Sequence, residues 1–305
     1  MRQRLRMALA ALLTGGVFLA STADCAAAAL RYCDPPSELD AAQQDRLLRF
    51  AAVIKSELNA SGNSLAIVAR SGVDLTRFDQ RYSHAGIALQ ASANAPWSVR
   101  QLYYDCDQRR PRLFDQGMAG FVVGTGDPAL GYVSVVLLSE VKARALEQAV
   151  RDKSTSLRLL GQRYSANAYA YGLQYQNCNQ WVAEMLAVAW GGLGSAQGDL
   201  RPPAQQWLHA NDYQATVFDI DNPLFMLAGL AVPWLHYDDH PPQEPGRQLL
   251  RVSMPASIEA FVRSTIPGAQ RIEFCHTANA IVIRRGWQPI EGCQAQPEDT
   301  VLALD

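Results

Sequence analysis

The chain has 305 residues, 49% of them hydrophobic and 18% charged, with a formal net charge of −2. That is enough apolar material for one large domain or two small ones. No basic stripe is present to neutralise phosphates, so nucleic acid is not an expected partner, and nothing favours docking on an anionic membrane.

The first 29 residues stand apart. MRQRLRMALAALLTGGVFLASTADCAAAA opens with three arginines, continues as an apolar run to Ala20 and ends in small residues. This is the pattern of a secretory signal peptide, cleaved after Ala23 or among Ala26 to Ala29. Asp24 before Cys25 fits lipoprotein processing poorly. The apolar run is also shorter than the ~20 residues of a membrane span. Export to the bacterial periplasm, or secretion, is the expectation. Farther along, residues 222–235 (NPLFMLAGLAVPWL) are the most apolar stretch. They are short and carry two prolines, which predicts a buried helix or groove wall and no span in the mature chain.

Helical spacing of Leu47, Ala51, Ile54 and Leu58 predicts a helix over 37–59, with Ser37 and Asp40 resembling a capping box. Strands are expected at 64–69, 82–89 and 97–104, the last two forming a loose hairpin, then at 121–123 and 132–138. Ser139 caps a helix through Arg151. A tyrosine-rich loop, GQRYSANAYAYGLQYQ, leads into a helix that starts at Cys178 and stops at Gly191-Gly192. Beyond residue 195 prolines cluster among short strands and helices. The order predicts an α+β fold with a mainly antiparallel sheet: a core over 30–215 and a C-terminal extension over 216–305 packed on it.

Six cysteines are present, and five remain if the leader takes Cys25 with it. An odd number in an exported protein suggests a free reactive thiol or an intermolecular bridge. Cys275 and Cys293 make a plausible local bridge, and Cys33 and Cys106 could close a longer loop. That pairing leaves Cys178 free. Asn177 and Gln180 around it have capping-box form, so Cys178 takes the first helical position. There the free N–H groups and helix dipole should lower its pKa and could receive an oxyanion. The simpler reading is a small buried cysteine at a helix end. A thiol nucleophile needs a base. Among the five histidines, His84 stands on the strand YSHAGIAL, where Gly86 and Ala88 leave room for close packing.

YSHAGIAL followed much later by a tyrosine-rich loop and NCNQWVAEML resembles the circularly permuted papain-like enzymes, which include NlpC-type proteins and the lecithin:retinol acyltransferase group. More narrowly, RYSH and YQN-x-NQW resemble an exported bacterial family of unknown function (domain of unknown function 2145). The resemblance implies a permuted papain-like core with Cys178 as nucleophile, His84 as general base and a polar residue on the neighbouring strand as orienter. Gln101 is the best match, although a neutral amide stabilises imidazolium less than a carboxylate would. Tyr82 could add an oxyanion donor, and Tyr169, Tyr171, Tyr175, Asn177 and Trp181 could line a substrate cleft.

Other motifs fit less well. HYDDH, His236 to His240, would suit zinc on a helix, but Pro233 and Pro241-Pro242 bracket it and predict a solvated or salt-bridged loop. GTGDPALG lacks dinucleotide spacing and reads as a turn. The leading expectation is a thiol-dependent hydrolase or acyltransferase acting on a peptide, glycopeptide or acyl substrate without a cofactor. The rival is a binding module using the same aromatic cleft. Nothing in the pattern specifies an oligomeric state.

Overall fold

The protein is described by a computed structural model covering residues 39–304. The leader, Cys25, Cys33 and Ser37 lie outside the described residues. The first helix, α1 (Ala41–Ala60), is capped by Asp40, which accepts from the Gln43 amide while the Gln43 side chain returns the bond. The capping box therefore exists, three residues later than the Ser37 start expected. Next come β1 (Leu65–Arg70), β2 (His84–Leu89), β3 (Ser98–Asp105) and β4 (Arg110–Gln116), all antiparallel neighbours.

Residues 121–123, expected as a strand, close the short helix α2 (Met118–Val123) instead. Met118, Phe121 and Val122 fall at helical spacing and are buried together, and this overrides the β-propensity of a Phe-Val-Val run. The chain continues through β5 (Gly131–Leu137), α3 (Glu140–Arg151), α4 (Lys153–Arg158), α5 (Cys178–Trp190) and α6 (Arg201–Ala210). After β6 (Thr216–Asp219) comes α7 (Pro223–Gly229). It leaves Leu224, Phe225, Leu227 and Leu230 exposed, so this apolar stretch is a surface turn of helix and not the buried one expected. The remainder is α8 (Gln243–Gly246), β7 (Leu249–Val252), α9 (Pro255–Thr265), β8 (Gln270–His276), β9 (Ala280–Arg285) and β10 (Thr300–Ala303).

Eight strands form one sheet in the order β10-β9-β8-β5-β1-β2-β3-β4, and β6 pairs with β7 apart from it. Every pairing in the ladders is antiparallel, and with nine helices among the described residues the fold is α+β. The C-terminal strands β8 to β10 extend the sheet beyond β5. Alternation along the strands divides two cores. Leu65, Ile67, Ala85, Ile87 and Leu102 face α3, α5, α6 and α9. Ala66, Val68, Ala88, Val99 and Phe274 face α1 and α2. Cys275 and Cys293 are disulfide-bonded, and so is Cys106. No helix among the described residues is long and apolar enough to cross a membrane.

Candidate active site

The start of α5 is built by its cap and by the loop before it. Asn177 Oδ1 accepts from the Gln180 amide at 2.7 Å, while its amide nitrogen donates to Ala166 O and Ser253 O at 3.2 and 3.3 Å. The expected box is half made. The Gln180 side chain turns away to donate to the carbonyls of Tyr169, Ala170 and Gly172. One turn further on, buried Glu184 pairs with Arg201 at 3.0 Å and accepts from Gln176 and Gln205. Arg201 also reaches the carbonyls of Gly172, Leu173 and Tyr175. A buried ion pair of this kind requires such full hydrogen bonding, and here it anchors the tyrosine-rich loop directly ahead of Cys178.

Cys178 is the free cysteine of the described residues and is 7% exposed. Its sulfur faces the amides of Asn179, Ala85 and Cys178 itself, so the helix start meets β2 at Ala85. Asn179 ties the same junction by donating to Ser83 O at 3.2 Å. The expectation of a depressed thiol pKa is corrected here. Burial dominates and pushes the thiol up to about 11, against the opposing pull of Arg70 and those amides. A helix terminus contributes about 0.3–1 kcal/mol, less than one pKa unit, whereas full desolvation shifts a group by up to ~3–5 units.

His84, also 7% exposed, opens β2. Its Nε2 lies 2.8 Å from Gln101 Oε1, and Gln101 Nε2 donates to Gln116 Oε1 at 2.8 Å. Because the Gln101 amide nitrogen is engaged by Gln116, its oxygen faces the ring. The ring proton then sits on Nε2, leaving Nδ1 as the free lone pair. Tyr103 stacks on the imidazole with ring centroids 4.6 Å apart. Gly86 makes the approach of β3 possible, since a Cβ there would lie 2.5 Å from Val99 Cγ1. Burial first, then the nearby Arg70 charge, push the imidazole pKa down to about 3 against the Gln101 bond. The resting site therefore holds a neutral thiol and a neutral imidazole. They meet through the His84-Ala85 backbone, and no hydrogen bond joins sulfur to ring among the described residues.

The other expected residues take structural positions. The Tyr82 hydroxyl donates to buried Glu273 and accepts from Arg271 at 3.3 Å. The Tyr171 hydroxyl donates to Tyr213 O at 3.0 Å and accepts from the Ala215 amide. Tyr175 is buried, stacks on His236 at 4.4 Å and donates to Asp238 at 3.2 Å. Trp181 is fully buried in the core under α5. The HYDDH loop clasps the tyrosine-rich loop from outside: Asp239 accepts from the Tyr169 amide, and both His240 ring nitrogens are engaged, by Glu244 and by Asn167 O. The sequence reading missed Gln116, Tyr103 and Arg70. Period-2 alternation from Gln101 points to Tyr103, but Gln116 and Arg70 are brought in by pairing between strands.

No curated protein and no solved structure matches the chain. Residues 57–262, which include His84, Gln101 and Cys178, match the family described as an uncharacterized protein conserved in bacteria (DUF2145), and the chain belongs to that family.

Proposed function

We propose that this protein is an exported thiol enzyme of the papain-like type, which hydrolyses or transfers an acyl group at an amide or ester. The supporting observation is the hydrogen-bond chain Gln116–Gln101–His84, which leaves His84 Nδ1 unprotonated on the residue next to Ala85, whose amide the Cys178 sulfur faces. In the proposed reaction Nδ1 takes the thiol proton as Sγ bonds to the substrate carbonyl carbon. The amides of Cys178 and Asn179 receive the oxyanion. The C–N or C–O bond then breaks, and the leaving group takes the proton from His84. Water or a second acceptor finally cleaves the thioester. Sulfur and ring have to close on one another when substrate binds, a tightening common to catalytic hydrogen bonds. Export and the disulfides favour a periplasmic substrate, a cell-wall peptide or a lipid-linked acyl group.

The test is acid-quenched mass spectrometry after incubation with p-nitrophenyl acyl esters and a cell-wall tetrapeptide. An acyl adduct on the Cys178 peptide, lost in Cys178→Ala and His84→Ala, is expected. An adduct that survives both substitutions sinks the reading. The burial of Cys178 favours a second reading, a binding module in which the cysteine is packing. Its signature is tetrapeptide binding unchanged in Cys178→Ala, with no turnover in either protein.

A further inference from the structure

Arg70 is a buried cation without a counter-charge among the described residues. It ends β1, directly opposite His84 in the ladder, and is 6% exposed. Its guanidinium donates to Gly124 O, to Ser71 O at 3.1 Å and to Tyr103 Oη at 2.7 Å, and it lies 5.6 Å from the Phe121 ring centroid. All of these partners are neutral. Its Nε is buried with no hydrogen-bond partner, and no carboxylate pairs with it among the described residues. The pocket is shaped for it: a Cβ on Gly124 would sit 2.6 Å from Nη2, and one on Gly72 would sit 2.7 Å from Nη1. An uncompensated buried charge is costly, so a chain that builds a fitted cradle for one implies an anion that arrives there.

We infer that Arg70 is the standing charge partner of Cys178, holding the developing thiolate and the oxyanion that follows it where the resting site has no imidazolium. The inference rests on the proposed role of Cys178 as nucleophile. Arg70 bears on both the thiol and the imidazole, favouring loss of the proton from each. Several other charged groups on elements packed against α5 are ion-paired, Arg100 of β3 with Asp115 and Asp105 of β3 with Arg112 among them. Arg201 of α6 pairs with Glu184, Glu259 of α9 with Arg271, and Glu147 of α3 with Arg151. Tyr103 of β3 bonds the guanidinium and stacks on His84 of β2 beside the cradle. His84 then starts as a neutral base with its own proton on the Gln101 side and is imidazolium only between taking the thiol proton and passing it to the leaving group, while Arg70 supplies the standing positive charge.

The experiment is the pH dependence of iodoacetamide labelling at Cys178 from pH 8 to 12, paired with NMR titration of the His84 imidazole from pH 7 downward through pH 3. It compares wild type, Arg70→Met and Arg70→Lys. Loss of the charge in Arg70→Met should raise both midpoints and slow labelling at pH 8 by roughly tenfold or more, one pKa unit being tenfold. Arg70→Lys, which keeps the charge but loses the fork of hydrogen bonds, should return most of that rate. A loosened fold gives a different pattern, because hydration would raise the imidazole midpoint and lower the thiol midpoint. Superimposable profiles, parallel shifts in the Met and Lys variants, or a thiol midpoint that falls in Arg70→Met would each overturn the inference. A wild type that takes up no acyl group would instead remove the catalytic reading while leaving these titrations intact.

Discussion

At the scale of single residues, His84 is held neutral by its surroundings, and this has a consequence for stability. Its pKa falls from the ordinary 6.5 to about 3 in the folded protein. Between those values the unfolded chain binds a proton that the folded one refuses. The contribution is therefore complete above pH 6.5 and is lost as pH falls toward 3. At pH 5 the loss is about 2 kcal/mol. His84→Gln keeps a hydrogen-bonding group beside Gln101 but does not titrate. Urea unfolding at pH 7 and pH 5 should show a smaller loss in the variant than in wild type, by about that amount. Buried His276, whose pKa is also lowered, gives both proteins the same residual slope. Equal pH dependence in the two would mean that His84 is solvated.

At the scale of elements, the site depends on where α5 begins, and Asn177 sets that point with three bonds. Its side-chain oxygen caps the helix, and its nitrogen serves two buried carbonyls from separate segments. Asn177→Ala loses all three and leaves Ala166 O and Ser253 O unserved. A cap is worth ~1 kcal/mol and each net hydrogen bond ~0.5–1.5, so a total of roughly 2–4 kcal/mol is expected. Asn177→Ser keeps a capping hydroxyl and should lose about half as much. Denaturant midpoints of the two variants decide the matter, and equal losses would show that the helix cap contributes nothing beyond the carbonyl contacts. Element α2 and strand β4 follow another rule. β4 is an edge strand with Pro111, Arg110 and Arg112, residues that protect an unpaired edge while concealing the strand from propensity.

At the scale of the whole molecule, the sheet joins distant parts of the chain. The family match ends at residue 262, yet β5 in the middle of the sheet pairs along its length with β8. Phe274, Ile281 and Ile283 of the last strands complete the core under α1. A protein truncated after Val262 would expose the β5 edge and open that core, and it should be recovered unfolded or insoluble. Removing only residues 300–304 takes away a short edge strand with exposed Val301 and Leu302 and should leave the fold intact. Circular dichroism and a thermal scan of both truncations make the comparison. A cooperatively folded 1–262 protein would show that the C-terminal strands are an accessory.

Local pattern alone determined much of this protein. The apolar periods of α1, β1, β2, β3, β5, α3 and α5 are written in contiguous residues, as are the Asn177 cap and the isolation of Cys178 from the Cys275–Cys293 bridge. These depend on spacing along one segment, which a sequence displays directly. Tertiary structure alone decided the electrostatics and the supports of the site. The thiol at a helix start looked activated because the helix end is local, but the burial that outweighs it comes from β2 and the core packed around it. Arg70, Gln101 and Gln116 reach the site from three strands whose register is set by pairing. Tyr82, Tyr175 and Trp181 look like binding aromatics until their hydroxyls and rings are seen to be taken up by Glu273, Asp238 and the core. Charge, solvation and hydrogen-bond partnership are properties of what surrounds a side chain, and that surrounding exists only once the sheet has closed.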